Sequence, residues 1–229
     1  MLDIMKSAAA AAIQSFAENR LLARVRAGEV RRPDYINLLL SIYHQVYQGT
    51  MSFALAASGC PPRWTRLREY LIAHTHEEMA HYRWILDDLD ALGYDGPAPA
   101  ELHPAPAAIS YVAFNVYNAL YFPPSRLCSS TVLEGLSTVI NARVFIDLAS
   151  QSGIGRECFS FFVRHAQTDR EHISELWSVL GELDLSEREW STMVYTTRVA
   201  GDLYKAIYDE APTARFEPVA AAWARPGAP

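Results

Sequence analysis

His74-Thr75-His76-Glu77-Glu78-Met79-Ala80-His81 and, far along the chain, His165-Ala166-Gln167-Thr168-Asp169-Arg170-Glu171-His172 share one skeleton. Each runs histidine, a carboxylate four residues on, then histidine three residues later, with Glu78 and Asp169 in the middle places. On a helix, four residues turn the direction by about 40° and seven by about -20°, so the three side chains of each segment share one side. They are stacked over two turns, about 10 Å along the axis. Two such faces turned toward each other inside a bundle make a ring of imidazoles and carboxylates of the right length for two adjacent metal ions.

Outward from these segments the chain reads as helix nearly throughout. Apolar residues recur at three-to-four spacing, and no stretch alternates strictly with Val, Ile and Thr, so essentially no sheet is expected. The helices are predicted over residues 3–27, 33–58, 63–92, 107–121, 125–150, 156–181 and from about Ser186 to Ala211. Gly28, Gly59-Cys60-Pro61-Pro62, Gly93 and Ser152-Gly153-Ile154-Gly155 supply the breaks. Ser186 with Glu189 three residues on is a capping-box signature. The loop 93–106, with four prolines and two glycines, crosses one end of the molecule. The fold class is therefore an all-α seven-helix bundle, one domain over 1–211 followed by an Ala- and Pro-rich mobile tail over 212–229.

Composition removes several function classes. The chain has 229 residues, enough for one sizeable core, with 50% hydrophobic and 20% charged residues. A net charge of -6 without a basic cluster argues against nucleic acid and against an anionic membrane surface. Asp3 and Glu18 argue against a secretory leader, and no apolar run approaches the ~20 residues of a membrane span. Cys60, Cys128 and Cys158 are odd in number and lack CxxC spacing, so neither a disulfide framework nor a zinc ribbon is expected, and the expected setting is the reduced cytoplasm.

Mixed His and carboxylate donors suit iron or manganese better than a soft metal. A third stretch, Leu133-Glu134-Gly135-Leu136, offers Glu134 as an isolated acid among apolar residues. A buried carboxylate needs a cation or strong hydrogen bonds, and Gly135 beside it leaves room for a close approach. The predicted metal residues are His74, Glu78, His81, Glu134, His165, Asp169 and His172. His76, Glu77, Arg170 and Glu171 are expected to face outward or to touch the ligands from behind. Tyr43, His44 and Tyr47 are candidate substrate contacts, because their helix should flank the same interior. For His44 alone, a hydrogen-bonded core histidine is the competing reading.

These segments resemble the iron-containing redox enzyme branch of the haem-oxygenase-like superfamily. His74-x2-Glu77-Glu78-x2-His81-x2-Trp84 with Asp87-Asp88-Leu89 and Leu92-Gly93 carries the resemblance, and Leu133-Glu134-Gly135 and His165-x3-Asp169-x2-His172 follow in the expected order. It extends over about residues 35–180. The resemblance implies a seven-helix haem-oxygenase-like fold and a non-haem diiron site: two Fe ions, O2 as co-substrate, and oxidative C–C cleavage, rearrangement, nitrile formation or N-oxygenation of a small molecule. Many such enzymes serve natural-product pathways. An amino acid or derivative is the implied substrate, with room for an electron donor and a homodimer as the family-level expectation. One departure is that many members carry Glu where this chain has His74, which implies a histidine-rich site with a labile second iron. Glu78 is placed to compensate.

Two rivals make different demands. A haem-degrading oxygenase would use His44 as axial ligand and leave the later residues unexplained. A metal-free helical protein that binds a small molecule without catalysis would pair its His and Glu residues with each other. A thiaminase-like relative would need an active cysteine, and Cys128 and Cys158 have no adjacent acid-base pattern.

Overall fold

The computed structural model describes residues 1–139, 142–151 and 153–219; within the helices, the side chains of 137–139, 142–145, 148 and 167–171 lie outside the described set. Among the described residues there are ten α-helices: α1 (Leu2–Phe16), α2 (Arg20–Arg26), α3 (Arg32–Ser58), α4 (Thr65–Glu78), α5 (Tyr82–Ala91), α6 (Pro106–Tyr121), α7 (Arg126–Val139), α8 (Ala142–Gln151), α9 (Ser160–Gly181) and α10 (Glu187–Glu210). No strand is present among them, only an isolated bridge between Leu102 and Pro218. The architecture is the expected all-α bundle. The difference from seven helices lies in two divisions, of the first and third expected helices; the fifth is described as α7 and α8 on either side of residues 140–141, which lie outside the described residues.

The first division is caused by Asn19. Its amide donates to Phe16 O at 2.7 Å and its carbonyl oxygen accepts from Leu22 N at 2.9 Å, so one fully buried side chain ends α1 and caps α2. The second falls within the histidine segment. His81 N, Arg83 N and Trp84 N bond to the carbonyls of Glu78, Ala80 and His81, three residues back rather than four. This tighter winding joins α4 to α5. Residues three apart eclipse in such a turn, which brings Glu78 and His81 together.

α1 packs on α10 and α7, α3 lies between α4 and α6, and α7 packs against α9 and α10. α7 is central, and every residue from Arg126 to Thr131 is buried. Close approach on both sides of α1 depends on glycine. A Cβ on Gly135 would meet Ile13 Cδ1 at 2.6 Å, as the isolated Gly135 suggested. A Cβ on Gly201 of α10 would meet Ala12 Cβ at 2.6 Å and Ala12 Cα at 3.4 Å, so the backbone of α1 stands behind the clash. Gly201→Ala is therefore expected to destabilise by about 1 to 2 kcal/mol, overpacking outweighing the gain in helix propensity. A urea midpoint equal to that of the parent would contradict this packing.

The C-terminal segment was expected to hang free from residue 212. Up to Val219 it is tied down: Ala211–Thr213 forms a 3-10 turn, His103 N donates to Glu217 O and Val219 N donates to Glu101 O, both at 2.8 Å. Residues 220–229 of that tail lie outside the described residues. No described helix is long and apolar enough to cross a membrane.

Candidate metal centre

α4, the tight turn that follows it, α7 and α9 bring the predicted residues to one interior. His81 Nδ1 lies 2.7 Å from Glu78 Oε2, and His165 Nε2 lies 3.9 Å from the same oxygen. The other oxygen of Glu78 is 4.0 Å from His172 Nδ1. His74 Nε2 is 3.5 Å from Glu134 Oε1, and the His74 and His172 rings are 5.0 Å apart. His74, Glu78, His81, Glu134, His165 and His172 thus share one cluster. The side chain of Asp169, the seventh, lies outside the described residues.

The donor atoms fall into two neighbouring groups. Glu78, His81 and His165 offer atoms all within 4.8 Å of one another, and so do His74, Glu77 and His172. Glu78 stands between them, one oxygen toward each group. Several of these separations exceed a hydrogen bond. They match two donors on one ion, which sit about 3 to 4 Å apart when each bond is near 2 Å. His172 Nδ1 is buried without a hydrogen-bond partner among the described residues. Imidazole nitrogen with carboxylate oxygen is a donor set that fits iron. Glu77 was expected to face away or to act from behind; its side chain is 54% exposed, but its Oε2 is 3.3 Å from His172 Nε2. It closes the solvent side of the second group.

Protonation favours coordination. Burial pushes His74 down to about 4, so this imidazole is neutral with a free lone pair at neutral pH. Burial would raise the Glu78 carboxyl, but the imidazoles of His165 and His81 outweigh it and hold it well below the usual carboxylate range. Aromatic rings fix the imidazoles. Trp84 stacks on His81 with centroids 3.9 Å apart, Tyr70 stacks on His74 at 5.3 Å, and Phe161 lies against His165 at 4.2 Å.

Asp88 has a positioning part that spacing alone does not reveal. It is fully buried on α5, and its carboxylate accepts from Ser160 N at 2.7 Å and Phe161 N at 3.0 Å. It caps α9 from a neighbouring helix and so sets where His165 stands relative to His81.

Beside the cluster is a cavity of about 160 Å³ whose wall includes His74, Glu78, Glu134, His165 and Arg126. From α3 it takes Gln45, Val46, Gly49, Thr50 and Phe53. Tyr43, His44 and Tyr47, the candidate substrate contacts, are not part of that wall. Tyr43 and Tyr47 stack on each other and both meet Tyr82 edge-on. His44 Nε2 is buried without a hydrogen-bond partner among the described residues and is not part of the cavity wall. One residue along a helix turns the side chain by about 100°, and that step separates His44 from Gln45. The cysteines are all free and buried, and burial pushes Cys60 up to about 11 and Cys128 to about 12. Neither offers the thiolate a thiaminase-like reading requires.

Among solved structures, the chain resembles a domain of unknown function with a heme oxygenase-like fold from Shewanella denitrificans (20% identity, 92% of this chain and 91% of that one, TM-score 0.82). It also resembles a TenA homolog from Pseudomonas syringae pv. tomato (14% identity, 91% of each chain, TM-score 0.72). A heme oxygenase from Leptospira interrogans is a third likeness (16% identity, 91% of this chain and 98% of that one, TM-score 0.68). At these identities the likeness establishes the fold. No curated protein matches the chain. A family model described as iron-containing redox enzyme matches residues 37–205, a span that holds every predicted metal residue. By that match over most of its length, the chain belongs to the iron-containing redox enzyme family.

Proposed function

We propose that this protein is a non-haem, two-iron, O2-dependent oxidase or oxygenase acting on a small molecule. The observation that carries the reading is the pair of His-carboxylate groups joined through Glu78 at the wall of a cavity. His81, His165 and Glu78 would hold one ion; His74, His172, Glu134 and Glu77 would hold the other, with Glu78 between. Two ferrous ions, when bound, supply the electrons that activate O2. The chain's own part is to keep His74 neutral and Glu78 ionised, fix the imidazoles with aromatic rings, and enclose the substrate away from bulk water. An amino acid or derivative, in a natural-product pathway, follows from the resemblance of the motifs and is a family analogy.

Anaerobic Fe(II) titration is the test. About two ions per chain are expected, with loss of binding at the second group in His172→Ala. Absence of iron affinity in the parent would remove the reading. A Soret band developing on added haem, with no response to Fe(II), would replace it with haem chemistry.

A further inference from the structure

Arg126, the first residue of α7, is only 4% exposed, yet it lines the cavity next to His74, Glu78 and Glu134. Its Nε donates to Ser52 Oγ at 2.7 Å, and its guanidinium carbon lies over the Phe53 ring, 3.7 Å from the centroid. These contacts hold one edge and one face. Among the described residues no carboxylate is ion-paired with it, and its Nη groups donate to no described residue. Burial lowers its proton affinity, against the pull of Tyr111 and Glu134. A buried guanidinium without a carboxylate is expensive and calls for an anion.

The acids of the metal cluster do not supply that anion once they are engaged. With Asp169 counted as well, Glu77, Glu78 and Glu134 would make four carboxylates against two divalent ions and a guanidinium, which would still leave positive charge in excess at the cavity. The rest of the wall sorts by chemistry. Ser130, one turn beyond Arg126 on α7, is a further polar group, whereas Leu133, Leu136, Phe161 and Phe162 are apolar. We propose that Arg126 receives the carboxylate of the substrate in a two-pronged contact through its Nη groups. The apolar side of the cavity takes a short hydrocarbon or aryl body. This deepens the reading above by assigning the group that orients the substrate against the metal cluster.

The test measures equilibrium binding by calorimetry, with no turnover. The probes are straight-chain acids from acetate to octanoate, phenylacetate, and the primary amide of each. They are titrated into the full chain, both as purified and after chelation of metal. At least one acid is expected to bind at least tenfold more tightly than its amide in the metal-loaded protein, where the cluster acids are engaged; a preference that remains after chelation cannot come from a metal holding the carboxylate. That preference should vanish in Arg126→Gln and survive in part in Arg126→Lys. Should Arg126→Gln fail to fold, judged by circular dichroism, the acid-amide ratio in the parent and in Arg126→Lys still decides. Binding of no acid, equal binding of acid and amide, or a preference that persists in a folded Arg126→Gln would overturn the proposal. A chain that prefers acids but takes up no iron would keep Arg126 as the anion receptor and discard the two-iron reading. A chain that takes up two irons without an acid preference would do the reverse.

Discussion

Glu78→Ala is expected to abolish iron loading at both positions, not at one. Each oxygen of this carboxylate addresses a different group of imidazoles: Oε2 lies 2.7 Å from His81 Nδ1, and Oε1 lies 4.0 Å from His172 Nδ1. Loss of an outer partner alone typically costs 10- to 100-fold in metal affinity, so loss of a shared donor should weaken Fe(II) binding by more than about 100-fold. The metal-free protein should remain folded and lose about 1 to 2 kcal/mol as the charge-assisted bond to His81 goes. Fe(II) titration monitored beside chemical denaturation separates the two effects. Retention of one tight iron would restrict Glu78 to a single position; retention of two would dismantle the site as described.

The second large effect is expected far from the imidazoles. Asp88→Ala strips the start of α9 of two buried hydrogen bonds, those from Ser160 N and Phe161 N. Bonds to a charged acceptor, and caps, suggest a loss of about 2 to 4 kcal/mol. Burial raises the Asp88 carboxyl, with the bonds from Ser160 and Phe161 offsetting it in part. A carboxyl raised on folding contributes most when protonated and progressively less as pH climbs through its folded value. The gap between parent and Asp88→Ala is therefore expected to be widest below the ordinary Asp value of about 3.9 and to narrow above it. Because α9 carries His165 and His172, iron affinity should fall as well. A variant with parental stability and parental iron uptake would show that α9 is positioned by its packing alone.

The two histidine segments were legible because their spacing is a property of the helix. Even there the mechanism differs in part: Glu78 and His81 meet through a tight turn in which residues three apart eclipse, not along a continuous helix. Glu134 was legible as a lone acid in an apolar stretch. The same argument, applied eight residues earlier, singles out Arg126 as a lone cation among small and apolar residues. Asp88 could not be placed from spacing, since its partners start a helix 72 residues further on. Tyr43, His44 and Tyr47 sit on the helix that lines the cavity but outside its wall, a rotation that the apolar pattern of α3 does not fix. The split at Asn19 was available in the sequence, because a buried asparagine between two apolar runs is a favoured cap.

α7 carries both of its charges, Arg126 and Glu134, on a single rigid rod. Eight residues at about 1.5 Å each set their backbone positions about 12 Å apart. Under the proposed roles, a molecule gripped at one end by the guanidinium and attacked at the other beside Glu134 would be measured by a fixed calliper, its tolerance for longer or shorter compounds set by the register of that helix.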